Sequence, residues 1–228
     1  MQKPKRKRYF YGAISPTRIR EEIVKPLFLL NSRYNTILPF LATFTYLTGG
    51  RISEVLYTRA KDITYDEVNK AFVVNLKTLK NRVIGQRQIP IARVGKDKWF
   101  YDMFEKYYYE YVIELDPDDK VFPFRSRFMA NIYFKKIYIQ NVLVLDMENK
   151  EWHERTIRLF PHYLRHCRAS HLVSHFGFRE FELMRFMGWS SSKPASFYVK
   201  LDYRDILKKM ISPDILSTMF NKYLEGKL

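Results

Sequence analysis

Apolar positions along this chain change their spacing several times, and each change predicts an element. From Asn35 to Thr48 the residues are apolar and the run is long enough for a buried helix, which Gly49-Gly50 ends. Arg51 opens the next helical element, to about Arg59. Ahead of these, Ser15-Pro16-Thr17 predicts the capped start of a short helix through Lys25, stopped by Pro26. Ala71-Phe72-Val73-Val74-Asn75-Leu76 has the β-branched and aromatic content of a strand. Arg87-Gln88-Ile89-Pro90-Ile91 is the strand returning from it, and Pro90, with no N–H to donate, places it at an edge or a strand end. Asp97 to Leu115 is spaced as an amphipathic helix whose tyrosines, Tyr107 to Tyr109 and Tyr111, suit the core and a groove edge. After a turn at Asp116-Pro117-Asp118-Asp119, Ser126 to Asn141 reads as a helix with one basic side, and Val142 to Arg158 as a hairpin or an insertion. Helices follow at about Pro161 to Phe176, Glu180 to Met187 and Lys193 to Lys200, then a last helical segment from Tyr203 to Tyr223, broken near Pro213. Pro161 sits near a helix start, where a missing N–H costs nothing. The fold class expected is α+β, mainly helical, with a small antiparallel sheet or hairpin, and no internal repeat is visible.

Charge then narrows the partner. Across 228 residues, 40 Lys and Arg stand against 24 Asp and Glu, a net +16, more than solubility needs. Double-stranded DNA is the expected partner, because neutralising phosphates releases counterions. Residues Lys3, Lys5, Arg6, Lys7 and Arg8 form a basic run followed by Tyr9-Phe10-Tyr11, and are expected to track the DNA backbone as an arm. With 46% hydrophobic residues and 18 Phe the chain can bury a large core. A single cysteine, Cys167, rules out a disulfide within the chain and a Cys-rich zinc site, which fits a reducing cytoplasm. There is no apolar secretory run at the N-terminus and no stretch long enough for a membrane helix, so no membrane association is expected.

Four ordered blocks carry chemistry. Thr48-Gly49-Gly50-Arg51-Ile52-Ser53-Glu54 comes first, Lys77-Thr78-Leu79-Lys80-Asn81-Arg82 with Arg87-Gln88-Ile89-Pro90 second, His162-Tyr163-Leu164-Arg165-His166 third, and Gly188-Trp189-Ser190-Ser191 with Tyr198 last. Two arginines, a histidine, an indole and a late tyrosine suit attack of a tyrosine hydroxyl on a DNA phosphodiester. Arginine's planar fork holds two phosphate oxygens and keeps its charge. In order and spacing the blocks resemble the catalytic domain of the tyrosine recombinases, the phage- and archaeal-virus-type integrases, from about Tyr34 to Leu207.

The resemblance implies a site-specific recombinase or integrase that cleaves and rejoins DNA through a 3′-phosphotyrosine, with no metal and no cofactor. By it Arg51 and Arg165 hold the phosphate, Tyr198 is the nucleophile, and His162 relays the tyrosine proton or bonds the phosphate. Trp189 stands where most of the family has His; it donates one N–H and buttresses the tyrosine. Lys77, with Lys80 a close second, is the general acid for the 5′-hydroxyl leaving group. Glu54 orients Arg51 or the lysine hairpin, His166 is structural or an alternate, and Arg82 and Arg87 contact the DNA backbone. Tyr203 is the rival nucleophile, outside the spacing from Trp189. The pairs His162/His166 and His171/His175 have helical metal-ligand spacing, but no H-E-x-x-H or third ligand accompanies them.

Residues 1–33 are expected as a basic arm and short helix, and 34–228 as the catalytic domain, with its C-terminal helical segment from about 203 packing on a neighbouring protomer. A homo-oligomer on DNA, dimer or tetramer, is implied. The family's separate helical clamping domain has no counterpart ahead of Asn35, which predicts weak, salt-sensitive binding. A type IB topoisomerase-like nick-and-reseal enzyme, a non-catalytic DNA-binding module of the same fold and an RNA-binding protein are the other readings.

Overall fold

In the computed structural model residues 9–78 and 85–199 are described. The chain enters as strand β1 (Tyr9–Tyr11). Ser15 then caps a helix, its hydroxyl accepting from the Arg18 N–H, with Pro16 in the first turn. That helix passes from α1 (Pro16–Arg18) through a π-helical segment, Ile19–Val24, into α2 (Lys25–Phe28). Pro26 therefore does not stop it. The wider π turn, closed by Lys25 N–H to Arg20 O, precedes the proline and gives its ring room against the preceding turn. Ile19, Ile23, Val24 and Leu27 are fully buried in the main core.

The centre of the molecule is α3 (Leu38–Thr48), all of whose residues are buried. Its polar Thr45 and Thr48 are satisfied by their own helix, donating to the carbonyls of Leu41 and Phe44. A short α4 (Ile52–Leu56) follows, ending sooner than Arg59. Strands β2 (Ile63–Asp66), β3 (Ala71–Thr78) and β4 (Gly85–Ala92) make an antiparallel sheet in the order β2-β3-β4, which puts β4 and its Pro90 on an edge. The register sets Leu76 opposite Arg87 and Lys77 opposite Gln86. Next, α5 (Lys98–Tyr107) runs on as a π-helical turn, Tyr108–Val112. Tyr107 is buried, with its hydroxyl on the Val121 carbonyl, while Tyr109 and Tyr111 stay half exposed.

The stretch expected as one helix from Ser126 to Asn141 divides. Only α6 (Arg127–Phe134) is helical, and β5 (Tyr138–Asp146) then pairs with β6 (Glu151–Arg158). A register shift between Ile139 and Val142, with Asn141 at φ 48°, interrupts the period-2 alternation of β5 and disguises it in the sequence. β1 completes this second sheet, in the order β1-β5-β6. Two helices, α7 (Pro161–Phe176) and α8 (Glu180–Met187), end the described chain with a 3-10 turn, Ala195–Phe197. The helix expected from Lys193 to Lys200 is thus a single tight turn, in which the Ser196 hydroxyl bonds the Lys193 carbonyl and competes with a longer helix. α7 and α5 pack on α3, and α8 packs on α7 and β4. The architecture is α+β, mainly helical with two small antiparallel sheets.

Candidate active site

The first component forms where α3 stops. Gly49 takes φ 57°, and a Cβ there would lie 2.8 Å from the Met187 sulfur, so the position suits glycine on both counts. The tight exit leaves Arg51 as N-cap of α4. Its N–H donates to Glu54 Oε2 at 3.0 Å and its Nη1 to Glu54 Oε1 at 2.6 Å. Arg87 reaches the same carboxylate from β4, Nη2 to Oε2 at 2.8 Å. Burial pushes the Glu54 carboxyl up, but Arg87 and Arg51 outweigh it and hold the group below the usual carboxylate range. Glu54 thus bonds Arg51 through both of its carboxylate oxygens. Arg87 was expected on the DNA backbone; its side chain is instead buried, because β4 alternates and residue 87 shares the inward face with Ile89 and Ile91.

Arg165 comes from the first turns of α7 and is 2% exposed. Its guanidinium donates to the carbonyls of Gly49 and Met187, and lies 5.7 Å from the Trp189 ring centroid. Burial, then Arg51 and Arg87, push its pKa down to about 9, still charged at neutral pH. Three guanidiniums around one carboxylate leave excess positive charge in a poorly solvated place, and an anion bound there relieves it.

Tyr198 closes the 3-10 turn. Its ring stacks on Trp189, and its hydroxyl is 2.9 Å from His166 Nδ1. Burial pushes the phenol up to about 12 against the opposing pull of Arg165. Burial likewise pushes His166 down to about 4. His162, one turn earlier on α7, is exposed.

Arg51, His162, Arg165, His166, Trp189 and Tyr198 all line one cavity of about 810 Å³. Residues separated by more than a hundred positions in the sequence therefore share one concave site. The sequence did not reveal that β1 walls it, with Tyr9, Phe10 and Tyr11 in the lining. The three consecutive aromatics offered a signal only for stacking or packing, and here they pack: Phe10 meets the His166 ring edge-on at 5.0 Å. Lys193, also in the lining, had no motif to mark it. Lys77 stands half-buried near the end of β3 and is not among the lining residues. Lys3, Lys5, Arg6, Lys7, Arg8, Lys80, Arg82 and Tyr203 lie outside the described residues, as does the segment from 203. Among the described residues no three His, Cys, Asp or Glu side chains gather as a metal-binding group, and no helix is long and apolar enough to cross a membrane.

The model of the phage integrase family matches residues 28–205. The chain belongs to the phage integrase family. Among solved structures it is similar to the XerH site-specific recombinase bound to difH substrate in a pre-cleavage complex, with a TM-score of 0.56 and 14% identity over 82% of this chain and 49% of that one. It is also similar to the Tn1549 transposon integrase in complex with transposon right end DNA, with a TM-score of 0.55, 18% identity, and coverage of 87% and 65%. The XerA recombinase gives a TM-score of 0.53 at 15% identity, covering 88% and 64%. The chain spans between about half and two thirds of the length of these proteins. At such identities the likeness is one of fold. No curated protein sequence matches the chain.

Proposed function

We propose that this phage integrase family member cleaves and rejoins DNA strands at specific sites through a 3′-phosphotyrosine intermediate. The observation that carries the reading is the single cavity into which Arg51, Arg165, His162, Trp189 and Tyr198 converge. DNA-bound relatives of the same fold support it.

In this reading Arg51 and Arg165 bind the non-bridging oxygens of the scissile phosphate, and their attraction grows as charge accumulates in the transition state. Tyr198 attacks phosphorus, and the bond to the 5′-oxygen breaks. Lys77, or Lys80, gives that oxygen its proton. Exposed His162 and the indole N–H of Trp189 bond phosphate oxygens. Side-chain cations do the work that divalent ions do in other nucleases. The phosphotyrosine conserves the ester linkage, so an incoming 5′-hydroxyl reseals the strand without a cofactor. With one nucleophile per chain, one copy cuts one strand. Exchange between two duplexes therefore calls for a homo-oligomer, dimer or tetramer, on double-stranded DNA, in the cytoplasm.

The test incubates the chain, in chelator, with a pool of nicked duplexes of randomised central sequence and looks for a covalent protein–DNA band. A band lost in Tyr198→Phe, kept in Tyr203→Phe and accompanied by unchanged DNA binding is expected. A band that survives Tyr198→Phe overturns the assignment.

A further inference from the structure

We propose that His166, not the motif histidine His162, takes the Tyr198 proton during cleavage and returns it during rejoining; the inference rests on the strand-transfer reading above. The geometry is direct. His166 Nδ1 lies 2.9 Å from the Tyr198 hydroxyl oxygen, within the reach a general base needs. The imidazole is also held in place. Phe10 meets it edge-on at 5.0 Å, and Tyr163 lies nearly parallel to it at 6.1 Å. His162 is a full turn away on the same helix and exposed, placed to meet the phosphate.

The tautomer follows from the contact. For Nδ1 to accept, the ring proton must sit on Nε2. Nε2 is buried and makes no full hydrogen bond, and the backbone of Tyr11 is the polar group that favours the protonated ring there. Among the described residues, the titratable and charged groups around His166 are His162, Tyr163 and Arg165 on its own helix and Tyr198 from the 3-10 turn, with Arg51 and Lys193 in the lining of the same cavity. None is an anion that would hold the imidazolium before DNA arrives, so the ring is neutral and ready to accept at neutral pH.

The step balances. The Tyr198 O–H bond breaks and its proton passes to Nδ1, while the phenolic oxygen bonds to phosphorus. The bond from phosphorus to the 5′-oxygen breaks, and that oxygen takes a proton from the lysine. Burial leaves Tyr198 about 10⁵-fold short of ionisation at pH 7, so a base has real leverage. A phosphodiester clasped by Arg51 and Arg165 brings negative charge beside the ring and favours the imidazolium. In rejoining, the incoming 5′-hydroxyl displaces the phenolate, which recovers its proton from His166.

His166→Asn tests this, because the amide oxygen can stand where Nδ1 stands and still cannot carry the proton. Single-turnover adduct formation is followed on nicked duplexes recovered from the randomised pool with the wild-type chain. Near pH 7 the variant should be about 10²- to 10⁴-fold slower. The deficit should shrink about tenfold per pH unit as hydroxide replaces the missing base. A 5′-bridging sulfur, a leaving group that needs no proton, should rescue Lys77→Ala, or Lys80→Ala if that lysine is the acid, but leave His166→Asn slow. A folded variant within threefold of wild type, a deficit constant with pH, or rescue by the sulfur substrate overturns the proposal. If His166→Asn does not fold, His166→Gln is measured by the same criteria. Absence of any Tyr198 adduct from the wild-type chain sinks the strand-transfer reading and this inference together, whereas a normal adduct that is indifferent to His166 sinks only the inference.

Discussion

Trp189 lies flat against Tyr198, with ring centroids 5.7 Å apart and planes 16° from parallel. The other side of the relationship is Arg165, whose guanidinium sits 5.7 Å from the same indole. One side chain thus stands against both Arg165 and Tyr198. It comes from the residue after Gly188, where φ is 63° and a Cβ would stand 2.7 Å from Arg87 Nη1. The tight turn at the end of α8 therefore couples the placement of the indole to the Glu54 ion-pair cluster.

Trp189→Ala removes both the stack and the half-buried indole. It should lower unfolding free energy by about 2–4 kcal/mol in denaturant titrations and slow covalent adduct formation. Trp189→His keeps a ring and an N–H donor and should retain measurable adduct formation. Equal inactivity of folded His and Ala variants would show that the indole acts by packing alone.

The two arginines should separate by phenotype. Arg51 is a cap residue whose ion pair with Glu54 is a quarter exposed on its own side, so Arg51→Ala should cost only about 1 kcal/mol of stability while slowing cleavage by about 10²-fold or more. Arg165 is buried, and its loss strands the carbonyls of Gly49 and Met187. Arg165→Ala should therefore lose at least about 3 kcal/mol as well as activity. Thermal unfolding and adduct rates measured side by side check the contrast, and equal destabilisation by both substitutions would contradict it.

How far the sequence reached can be judged from particular residues. Helices α7 and α8 match their expected spans because their ends carry strong punctuation, Pro161 at the start of one and Gly177 and Gly188 after the two C-termini. The motif residues Arg51, His162, Arg165, Trp189 and Tyr198 were nameable from order and spacing, and they line one cavity. The first part of strand β5, up to Asn141, was read as helix because the bulge there breaks alternation, while the hairpin reading of 142–158 matches the pairing of β5 with β6. Arg87 was misplaced although the signal was present, since Arg87, Ile89 and Ile91 alternate onto one face and the shared carboxylate of Glu54 can hold a buried cation. The contact between His166 and Tyr198 and the wall formed by β1 are tertiary facts. They depend on where a strand at the start of the chain meets a turn near its described end, and no local pattern encodes that distance.

Stability should fall as the solution is acidified below neutrality. Burial pushes His166 down to about 4 and, with His175 and Arg168 adding to it, His171 down to about 3. In the unfolded chain both return towards 6.5. Between these values the unfolded state binds more protons than the folded one, so unfolding free energy rises with pH there and is lost as pH drops from about 6.5 towards 3–4. Glu54, held below the usual carboxylate range, adds loss at the acid end of the same window. Denaturant titrations from pH 7.5 to 4 should show a decline on the order of a few kcal/mol, and His171→Gln should flatten it if the variant folds. A stability constant across that range would mean these rings do not stay neutral in the folded protein.

Binding should be governed by phosphate contacts. The basic run contributes five cations, Lys3, Lys5, Arg6, Lys7 and Arg8, immediately before the strand that walls the cavity. If each neutralises one phosphate, deleting residues 1–8 should reduce the slope of log K against log salt by up to about 4.5. Affinity at low salt should fall with it, while adduct formation by the bound complex changes little, because none of those residues is among the motif residues to which the chemistry is assigned. Fluorescence anisotropy on a labelled duplex across a salt series gives the slope, and single-turnover adduct rates at saturating protein give the chemistry. Unchanged slope with lowered rate would reverse the assignment: the run would then act through β1, by steadying Phe10 and Tyr11 against His166, and not through the DNA backbone.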